Sequence, residues 1–330
     1  MKTTDEILTI ESCKPIVSSA EKPGTVFFDL MSTGRFWRSS HITDLTVILP
    51  SPSSAVSPAS SSSSPPASSG GNWRRLHFEA KDEPEEFEIL SALPSLLPAG
   101  MTELVTFNGH TFDLPYLNHK LRAYGLANPF GALRHRDLMT DLKPMMTLLG
   151  LPSYRLQDFM TFFGPDNRSA LPCDDASALL RLMLLDSYLA FYRGEGQYVR
   201  AWSEADFLFY ELKLPSAVPK PVSGRDGVLH VRFEGDTVRI ASPVIGGRLH
   251  LYMTDYKSYD YLPREGYAVH KSLSRFVELS HREPAQRETA FTLVSFDDTF
   301  LGNEKRLKSY LTSLCAYLST PFTRHEQTDV

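Results

Sequence analysis

Short apolar runs alternate with amphipathic stretches along the first two thirds of the chain. The first run, residues 25–30, contains Val26, Phe27 and Phe28, which favour a buried strand. Strands are predicted at 25–30, 41–49, 73–78, 104–107 and 136–139, and helices at 83–97, 113–125, 155–163, 174–193 and 197–213. This order of elements predicts an α/β domain over residues 24–214, with a five-stranded sheet flanked by helices.

Two segments of low apolar content interrupt this pattern. Residues 1–23 are a short polar lead-in, in which Pro15 and Pro23 limit any helix. Residues 50–71 consist almost entirely of Ser, Pro, Ala and Gly, which bury too little apolar surface to offset the entropy of ordering. We expect a disordered insertion between two strands, and a phosphorylated or partner-binding segment is the alternative.

A proline-rich linker at Pro215, Pro219 and Pro221 separates the second part of the chain. Beyond it, strands at 228–233 and 237–241 are joined at Gly235-Asp236, which is typical of a hairpin turn. Further strands are predicted at 248–253, 256–262 and 289–296, and helices at 271–279 and 303–318. Residues 215–330 are therefore predicted to form a small α+β domain.

The composition of the 330 residues, with 42% hydrophobic and 22% charged, is that of a globular protein long enough for two domains. No apolar run approaches the roughly 18 residues of a membrane helix, and the first residues lack the apolar core of a secretory signal. Cys13, Cys173 and Cys315 lie far apart, which indicates free thiols in a reducing compartment. We expect a cytoplasmic protein without a membrane partner.

The net charge of −5 does not favour a nucleic-acid binder. The charge is unevenly divided, since residues 216–330 carry 15 Lys and Arg against 14 Asp and Glu, and the rest is net acidic. A phosphate backbone would have to be attracted by bound cations or by local basic patches.

Asp29 ends the first buried strand and is followed by a Ser-Thr-Gly turn. A carboxylate in this place is costly unless a charged partner, such as a metal ion, meets it. Residues 25–34 resemble the first motif of DEDD-type (DnaQ-like) exonucleases of the RNase H-like superfamily, Asp-x-Glu-Thr-Thr-Gly. Met31 stands in place of the second carboxylate, and the resemblance implies that Asp29 is a catalytic metal ligand and that Thr33 contacts the substrate.

Residues 104–117 resemble the second motif of the same family, in which a strand and Asn-Gly precede Phe-Asp-x-Pro-x-Leu. The resemblance implies that Asp113 is a second catalytic metal ligand and that Asn108 and His110 contact the substrate. The alternative is that Asp113 only caps the helix that it opens, where the helix dipole favours a negative charge.

Trp202 and Asp206 are four residues apart within the predicted helix 197–213, so they share one helix face. The family has a Tyr or His about one turn before its last metal carboxylate, which implies that Asp206 is the third catalytic metal ligand. Trp202 occupies the position of the base, but an indole has no acceptor to take a proton. The alternative for Asp206 is an exposed helix acid.

Further stretches, at 135–139, 148–151, 155–159, 176–192 and 256–272, are similar to the YprB-like branch of RNase H-like proteins. The implied fold is an RNase H-like mixed sheet, in which an antiparallel meander pairs with two parallel strands. The family uses two Mg²⁺ or Mn²⁺ ions to activate a water and stabilise the leaving oxygen.

Met31 in place of the second carboxylate and Trp202 in place of the base predict a nucleic-acid-binding protein of exonuclease type with weakened or lost hydrolysis. Met31 offers a soft thioether where hard cations want oxygen, or else it packs against Phe27 or Trp202. The first alternative is an active 3′–5′ exonuclease on single-stranded DNA or RNA, with Asp44 on the neighbouring strand as a conceivable substitute ligand. The second is a protein-interaction scaffold. Aromatic and basic residues alternate at 256–275, which suggests single-strand binding or a half-buried sheet.

Overall fold

A mixed sheet of six strands forms the frame of the N-terminal part of the protein. The structure, a computed structural model, describes residues 1–8, 24–51, 73–163 and 185–320. The chain divides into two compact units. The first unit is Met1–Asp141 with Tyr154–Asp186, and the second is Leu142–Ser153 with Ser187–Val330. Residues 187–214, which the sequence groups with the first domain, thus belong to the second unit.

The six strands follow the order β1-β4-β3-β2-β5-β6. They are β1 Lys2–Leu8, β2 Thr25–Ser32, β3 Ile42–Pro50, β4 Trp73–Glu79, β5 Glu103–Thr106 and β6 Arg134–Asp137. Strands β2, β3 and β4 form an antiparallel meander, and β2, β5 and β6 run parallel. The RNase H-like arrangement and the first four predicted strands are confirmed, with β1 as an additional edge strand. The fifth strand, predicted at 136–139, lies at 134–137, because residues 138 and 139 are helical.

The edge strand β1 corrects the prediction of a polar lead-in over residues 1–23. Its residues pair with β4 along their whole length. Opposite charges face each other across the pair: Lys2 contacts Glu79 at 2.6 Å, and Arg75 contacts Glu6 at 3.3 Å. Such cross-strand pairs stabilise a strand that has few apolar residues of its own. The rest of the lead-in and most of the Ser/Pro insertion lie outside the described residues.

One face of the sheet carries the core of the first unit. Val26, Phe28 and Leu30 of β2 pack there with residues of two helices, α1 Glu83–Leu96 and α2 Asp113–Ala123. Each such fully buried side chain stabilises the fold by roughly 1.5–3 kcal/mol. The alternation of β2 puts Phe27, Asp29 and Met31 on the opposite face, as the sequence predicted.

Among the described residues from 138 to 192, the chain forms three further helices: α3 Leu138–Leu149, α4 Leu156–Phe163 and α5 Asp186–Tyr192. The predicted helix at 155–163 is confirmed as α4, whereas α3 was not predicted. Of the predicted helix at 174–193, residues 186–192 are helical in α5, and 174–184 lie outside the described residues.

The second unit is built on an antiparallel sheet with strand order β7-β8-β11-β10-β9. Its strands are β7 Gln197–Glu204, β8 Phe207–Lys213, β9 Val222–Asp226, β10 Leu229–Glu234 and β11 Thr237–Pro243. The predicted helix at 197–213 is therefore wrong. In β8, Leu208, Tyr210 and Leu212 are at most 3% exposed and alternate with more exposed residues, which is the period of a strand. The predicted hairpin at Gly235-Asp236 is confirmed by β10 and β11.

The C-terminal part of the second unit is β-rich, as the predicted α+β domain requires. It contains β12 Arg248–Tyr252, β13 Tyr259–Leu262, β14 Tyr267–His270, α6 Lys271–Ser274, β15 Glu283–Pro284, β16 Phe291–Ser295 and α7 Glu304–Ser319. The predicted helix at 271–279 is reduced to the single turn of α6. Tyr210 Oη of β8 donates a hydrogen bond to the Leu307 carbonyl of α7 at 3.0 Å. Among the described residues, no helix has the length and hydropathy needed to cross a membrane.

Candidate functional site

The carboxyl ends of three parallel strands meet at one edge of the sheet in the first unit. Phe27 of β2 pairs with Val105 of β5, and Thr106 of β5 pairs with Asp137 of β6. Asp29 lies two residues beyond Phe27, and Asp113 begins α2 a few residues beyond Thr106. The structure thus brings Asp29 and Asp113 to the same edge of one sheet, as the two motifs predicted.

The turn after β5 is fixed by its backbone conformation and by hydrogen bonds to the Asp137 side chain. Asn108 has a left-handed φ of 60°, which asparagine tolerates better than most residues. At Gly109, a Cβ atom would lie 2.3 Å from Thr106 Oγ1, so only glycine fits. The Asp137 carboxylate accepts hydrogen bonds from the backbone N–H of Asn108 at 2.7 Å and of His110 at 3.3 Å. These contacts hold Asn108 and His110 at the sheet edge.

Two histidines are part of the same edge. The rings of His110 and His135 stack at 6.1 Å, and His135 Nε2 shares a hydrogen bond with Thr106 Oγ1 at 2.8 Å. Burial lowers the pKa of His135 below its usual value, although Asp137 acts in the opposite direction. At neutral pH, His135 is therefore a neutral imidazole.

Asp113 is the first residue of α2 and is 6% exposed. The N-cap position is occupied by Phe112, and no side chain makes a cap hydrogen bond there. The positive end of the helix dipole favours the negative charge of Asp113 in this first turn.

The loop between β2 and β3 is tied to α2. Within the loop, the backbone N–H of His41 donates to Thr33 Oγ1 at 3.1 Å, and the backbone N–H of Thr33 donates to the His41 carbonyl at 3.0 Å. Ser40 Oγ and Tyr116 Oη of α2 share a hydrogen bond of 2.8 Å. The loop is thus held beside the helix that Asp113 opens.

The outer part of this loop carries aromatic and basic side chains. Trp37 stacks on His119 of α2 with a centroid distance of 5.1 Å. Phe36 is 80% exposed, and its neighbours Arg35 and Arg38 are exposed as well. An exposed ring between arginines is a suitable contact for a nucleobase and its phosphate.

Met31 is 48% exposed at the end of β2. At this exposure it is not a core residue, whereas Phe27 on the same strand face is fully buried. In the β2–β3 pair, Met31 lies directly opposite Asp44, and the register shifts just after it, between Met31 and Ser32. Asp44 therefore supplies a carboxylate on the same sheet face as Asp29, directly opposite the position where the motif has its second carboxylate and this chain has Met31.

Asp44 belongs to a polar group on the same face of β3 and β4. His77 Nε2 lies 3.7 Å from Asp44 Oδ1 and 3.8 Å from Glu79 Oε1. His77 Nδ1 shares a hydrogen bond with Thr46 Oγ1 at 2.9 Å, so Nε2 is directed to the carboxylates. Across the residues that the structure describes, no three His, Cys, Asp or Glu side chains are placed to hold a metal ion together.

Asp206 and Trp202 lie in the second unit, on a β-hairpin instead of a helix. Ala205 and Asp206 form the turn between β7 and β8, with φ values of 46° and 61°. Asp206 is exposed in this turn, and Trp202 stacks on Phe209 of β8 at 5.1 Å. Trp202 and Asp206 therefore do not share a helix face. The prediction that led to the assignment of Asp206 as the last metal carboxylate is wrong.

Sequence reasoning missed a buried group around β6. The Arg136 guanidinium donates to Asp141 Oδ2 at 2.7 Å and to Asp186 Oδ1 at 2.9 Å. The side chains of Arg136 and Asp186 are only 10% and 14% exposed. Asp186 opens α5 within the stretch 176–192, and an acid that begins an amphipathic helix was the available signal. This group adds an acidic position to the first unit, but one whose charge is already paired.

A model of the RNase H superfamily matches residues 68–189, which is less than half of the chain. Among solved structures, E. coli exonuclease I in a zinc-bound complex with single-stranded DNA is 11% identical, and the match covers 92% of this chain and 75% of that chain with a TM-score of 0.36. E. coli exonuclease I in complex with a dA16 oligonucleotide is 11% identical over 93% of this chain and 76% of that chain, with a TM-score of 0.37. No curated protein matches the sequence. Likenesses at these identities and TM-scores do not bear on the ligand of this chain. Its strand order and the superfamily match identify an RNase H-like fold.

Proposed function

We propose that this protein binds single-stranded DNA or RNA through an exonuclease-type site whose metal-dependent hydrolysis is weakened or lost. The observation that carries the proposal is the position of Met31. It follows Asp29 by two residues on the same strand face and is 48% exposed. A neutral thioether thus stands at the sheet edge where the motif has a carboxylate, and hard divalent cations bind it poorly.

The donor set does not fit a centre of two divalent ions. Such a centre needs several carboxylates that converge on a pair of ions about 3.5–4 Å apart. Asp29 and Asp113 share the sheet edge, but Asp206 lies in a hairpin turn of the second unit. Asp186 is engaged by Arg136. Two carboxylates do not support hydrolysis by two metal ions. We propose at most a single, weakly held Mg²⁺ or Mn²⁺ at Asp29 and Asp113.

Binding of a strand next to these residues is supported by the groups around them. Asn108 and His110 are fixed by Asp137, and the Thr33 hydroxyl accepts one hydrogen bond and retains a proton to donate. Phe36 extends into solvent on the adjoining loop. We propose that these residues contact the sugar, phosphate and base at a strand end.

A nuclease and binding assay on the purified protein tests this proposal. Labelled single-stranded DNA and RNA are incubated with the native protein and with Asp29→Ala, in Mn²⁺ or in EDTA. We expect salt-sensitive binding by both proteins and no shortening by the native protein beyond that of the variant. Metal-dependent shortening that disappears in Asp29→Ala would contradict the loss of hydrolysis. Absence of binding to either strand would contradict nucleic-acid binding and favour a protein-interaction scaffold.

The register of β2 and β3 favours a second candidate, an active 3′–5′ exonuclease in which Asp44 replaces the missing carboxylate. Asp44 lies opposite Met31 and is 37% exposed, so it is accessible from solvent. In this case Asp44→Asn should abolish shortening as completely as Asp29→Ala does. Glu88→Gln, which removes an exposed acid of α1, is the matched control and should retain the activity.

A further inference from the structure

The five-stranded sheet of the second unit has two faces of different chemistry. Alternate residues of its strands, among them Leu208, Val231 and Ile240, are fully buried on one face. The other face, which we call the open face, carries Arg200 and Trp202 of β7, Phe209 of β8, Arg225 of β9, His230 and Arg232 of β10, and Arg239 of β11. This face, with exposed arginines and half-buried aromatic rings, lacks the fully buried apolar residues of a packed layer.

Two aromatic rings of the open face stack on each other across neighbouring strands. Trp202 and Phe209 stack with a centroid distance of 5.1 Å and an interplanar angle of 9°. The Arg200 guanidinium lies 4.8 Å from the centroid of the Trp202 ring. Stacked rings with a cation above them provide a ready partner for a further planar group.

A concave cavity of about 660 Å³ lies on this face. Its lining includes Trp202, Phe209, Arg225, His230, Arg232 and Arg239. A volume of this size is within the range of sites that enclose small organic ligands, roughly 300–1,000 Å³. It therefore accommodates a nucleotide unit of a longer strand.

The lining is positively charged, with three arginines and one glutamate, Glu204. Arg225 Nε donates to His230 Nε2 at 3.0 Å, and burial, together with the charge of Arg225, lowers the pKa of His230. The partner of Arg225 is thus a neutral imidazole that leaves the guanidinium charge uncompensated. Arg232 and Arg239 are 56% and 48% exposed. Arg232 pairs with Glu234 at 3.0 Å, and Arg239 pairs at 2.9 Å with Glu211 of β8, which also pairs with Arg200.

We propose that the open face binds single-stranded nucleic acid, with a base on the Trp202–Phe209 pair and phosphates on Arg225, Arg232 and Arg239. The combination of flat rings and arginines selects this ligand, since bases stack on aromatic side chains and phosphates attract arginine. An acidic peptide would match the charge of the arginines, but its residues do not each carry an aromatic ring that could stack. The proposal rests on the proposed function for its class of ligand, but it requires neither the metal nor the sheet edge of the first unit.

Fluorescence anisotropy with the full chain and labelled dT12 or U12 in EDTA tests the proposal. The double variant Arg225→Glu/Arg232→Glu should bind at least about tenfold more weakly, and the slope of log K against log salt should fall by about 0.7 for each lost phosphate contact. Trp202→Ala should weaken binding by roughly 5-fold to 150-fold, the usual range for one stacked base, and Trp202→Phe should restore most of it.

Matched controls separate the open face from general charge and surface effects. Arg248→Glu/Lys305→Glu removes two other exposed basic residues of the second unit, and Phe276→Ala removes a ring that is 78% exposed. Both should bind as the native protein does. Circular dichroism should show the same fold in all variants.

Four outcomes would overturn the proposal. If the native protein binds and Arg225→Glu/Arg232→Glu binds equally well, the open face is not the surface, while nucleic-acid binding stands. If the native protein binds the oligonucleotides in Mn²⁺ but not in EDTA, the open-face proposal fails and the proposed function stands; if it binds them in neither, both proposals fail. If poly-glutamate displaces the oligonucleotides more effectively than unlabelled dT12 does, the surface recognises acidic peptides instead.

Discussion

Replacement of Met31 by glutamate tests whether this position belongs to the metal shell. Met31→Glu places a carboxylate two residues after Asp29 and opposite Asp44 in the β2–β3 pair. In EDTA, like charges opposite each other on two strands cost roughly 0.2–1 kcal/mol. For a unit of this size, 1 kcal/mol corresponds to about 2–4 °C in Tm, so the variant should melt up to about 4 °C below the native protein.

Added Mn²⁺ should reverse the sign of this effect, because the ion gains a carboxylate in place of a thioether. We expect Mn²⁺ to bind Met31→Glu at least about tenfold more tightly than the native protein, which equals ~1.4 kcal/mol. At a free Mn²⁺ concentration of about 100 times Kd, binding stabilises the fold by about 2.7 kcal/mol, or roughly 5–10 °C in Tm. Isothermal titration calorimetry measures Kd, and scanning calorimetry in EDTA and in Mn²⁺ measures Tm.

Met31→Gln is the matched control, because glutamine has the length of glutamate and no charge. It should leave both the Tm in EDTA and the affinity for Mn²⁺ near the native values. Equal Mn²⁺ affinities of the glutamate and glutamine variants would refute the reasoning, since Met31 would then lie out of reach of an ion at Asp29. An unchanged Tm in EDTA would show that residue 31 and Asp44 do not interact.

Three further predictions concern stability. Gly109→Ala should destabilise the first unit by roughly 1–3 kcal/mol in urea unfolding, because its Cβ would lie 2.3 Å from Thr106 Oγ1. Arg287→Met should cost about 3–5 kcal/mol in the same measurement, since it leaves the buried Asp226 carboxylate without its ion pair of 2.5 Å. Burial lowers the pKa of His250 in the folded protein, so the unfolded chain takes up the proton first as pH falls below about 6.5. Stability should therefore decrease as pH is lowered below about 6.5. His250→Phe, which keeps an aromatic ring but cannot take up a proton, should remove part of this loss of stability.

The Gly109 and Arg287 variants each have a matched control. Gly302→Ala, whose Cβ would meet its nearest atom only at 3.7 Å, should be near neutral. Arg248→Met removes an exposed arginine and should change stability by less than about 0.5 kcal/mol. Unfolding midpoints of the His250 variant at about pH 7.5 and 5.5 decide the third prediction. If the His250 variant loses as much stability between these two pH values as the native protein does, His250 does not contribute to the pH dependence.

The parts of the fold that local patterns predicted are those whose signal is contained in a few adjacent residues. The apolar run of β2 and the Asn108-Gly109 turn need no knowledge of distant partners. Strand β1 lacked such a signal, because its stability comes from charges on β4. The register that sets Met31 opposite Asp44 depends on the shift after Met31, which no local pattern indicates.

The error at residues 197–213 has a similar cause. Trp202 and Asp206 are four residues apart, and that spacing suggested one helix face. The alternation of Leu208, Tyr210 and Leu212 carried the strand signal, and pairing with β11 decides between the two. For the candidate site, two acids were predicted at the correct sheet edge. The group of Arg136, Asp141 and Asp186 was not predicted, because Asp186 is 50 residues from Arg136 and local patterns do not reveal that pairing.

The stacking of Trp202 on Phe209 also gives the second unit a built-in optical probe. The sequence has three tryptophans, and the other two, Trp37 and Trp73, lie in the first unit. With both of those replaced by phenylalanine, all tryptophan emission arises from the β7–β8 hairpin. A base that stacks on this ring would quench the emission, so ligand capture by the second unit can be followed in real time, without a label on either molecule.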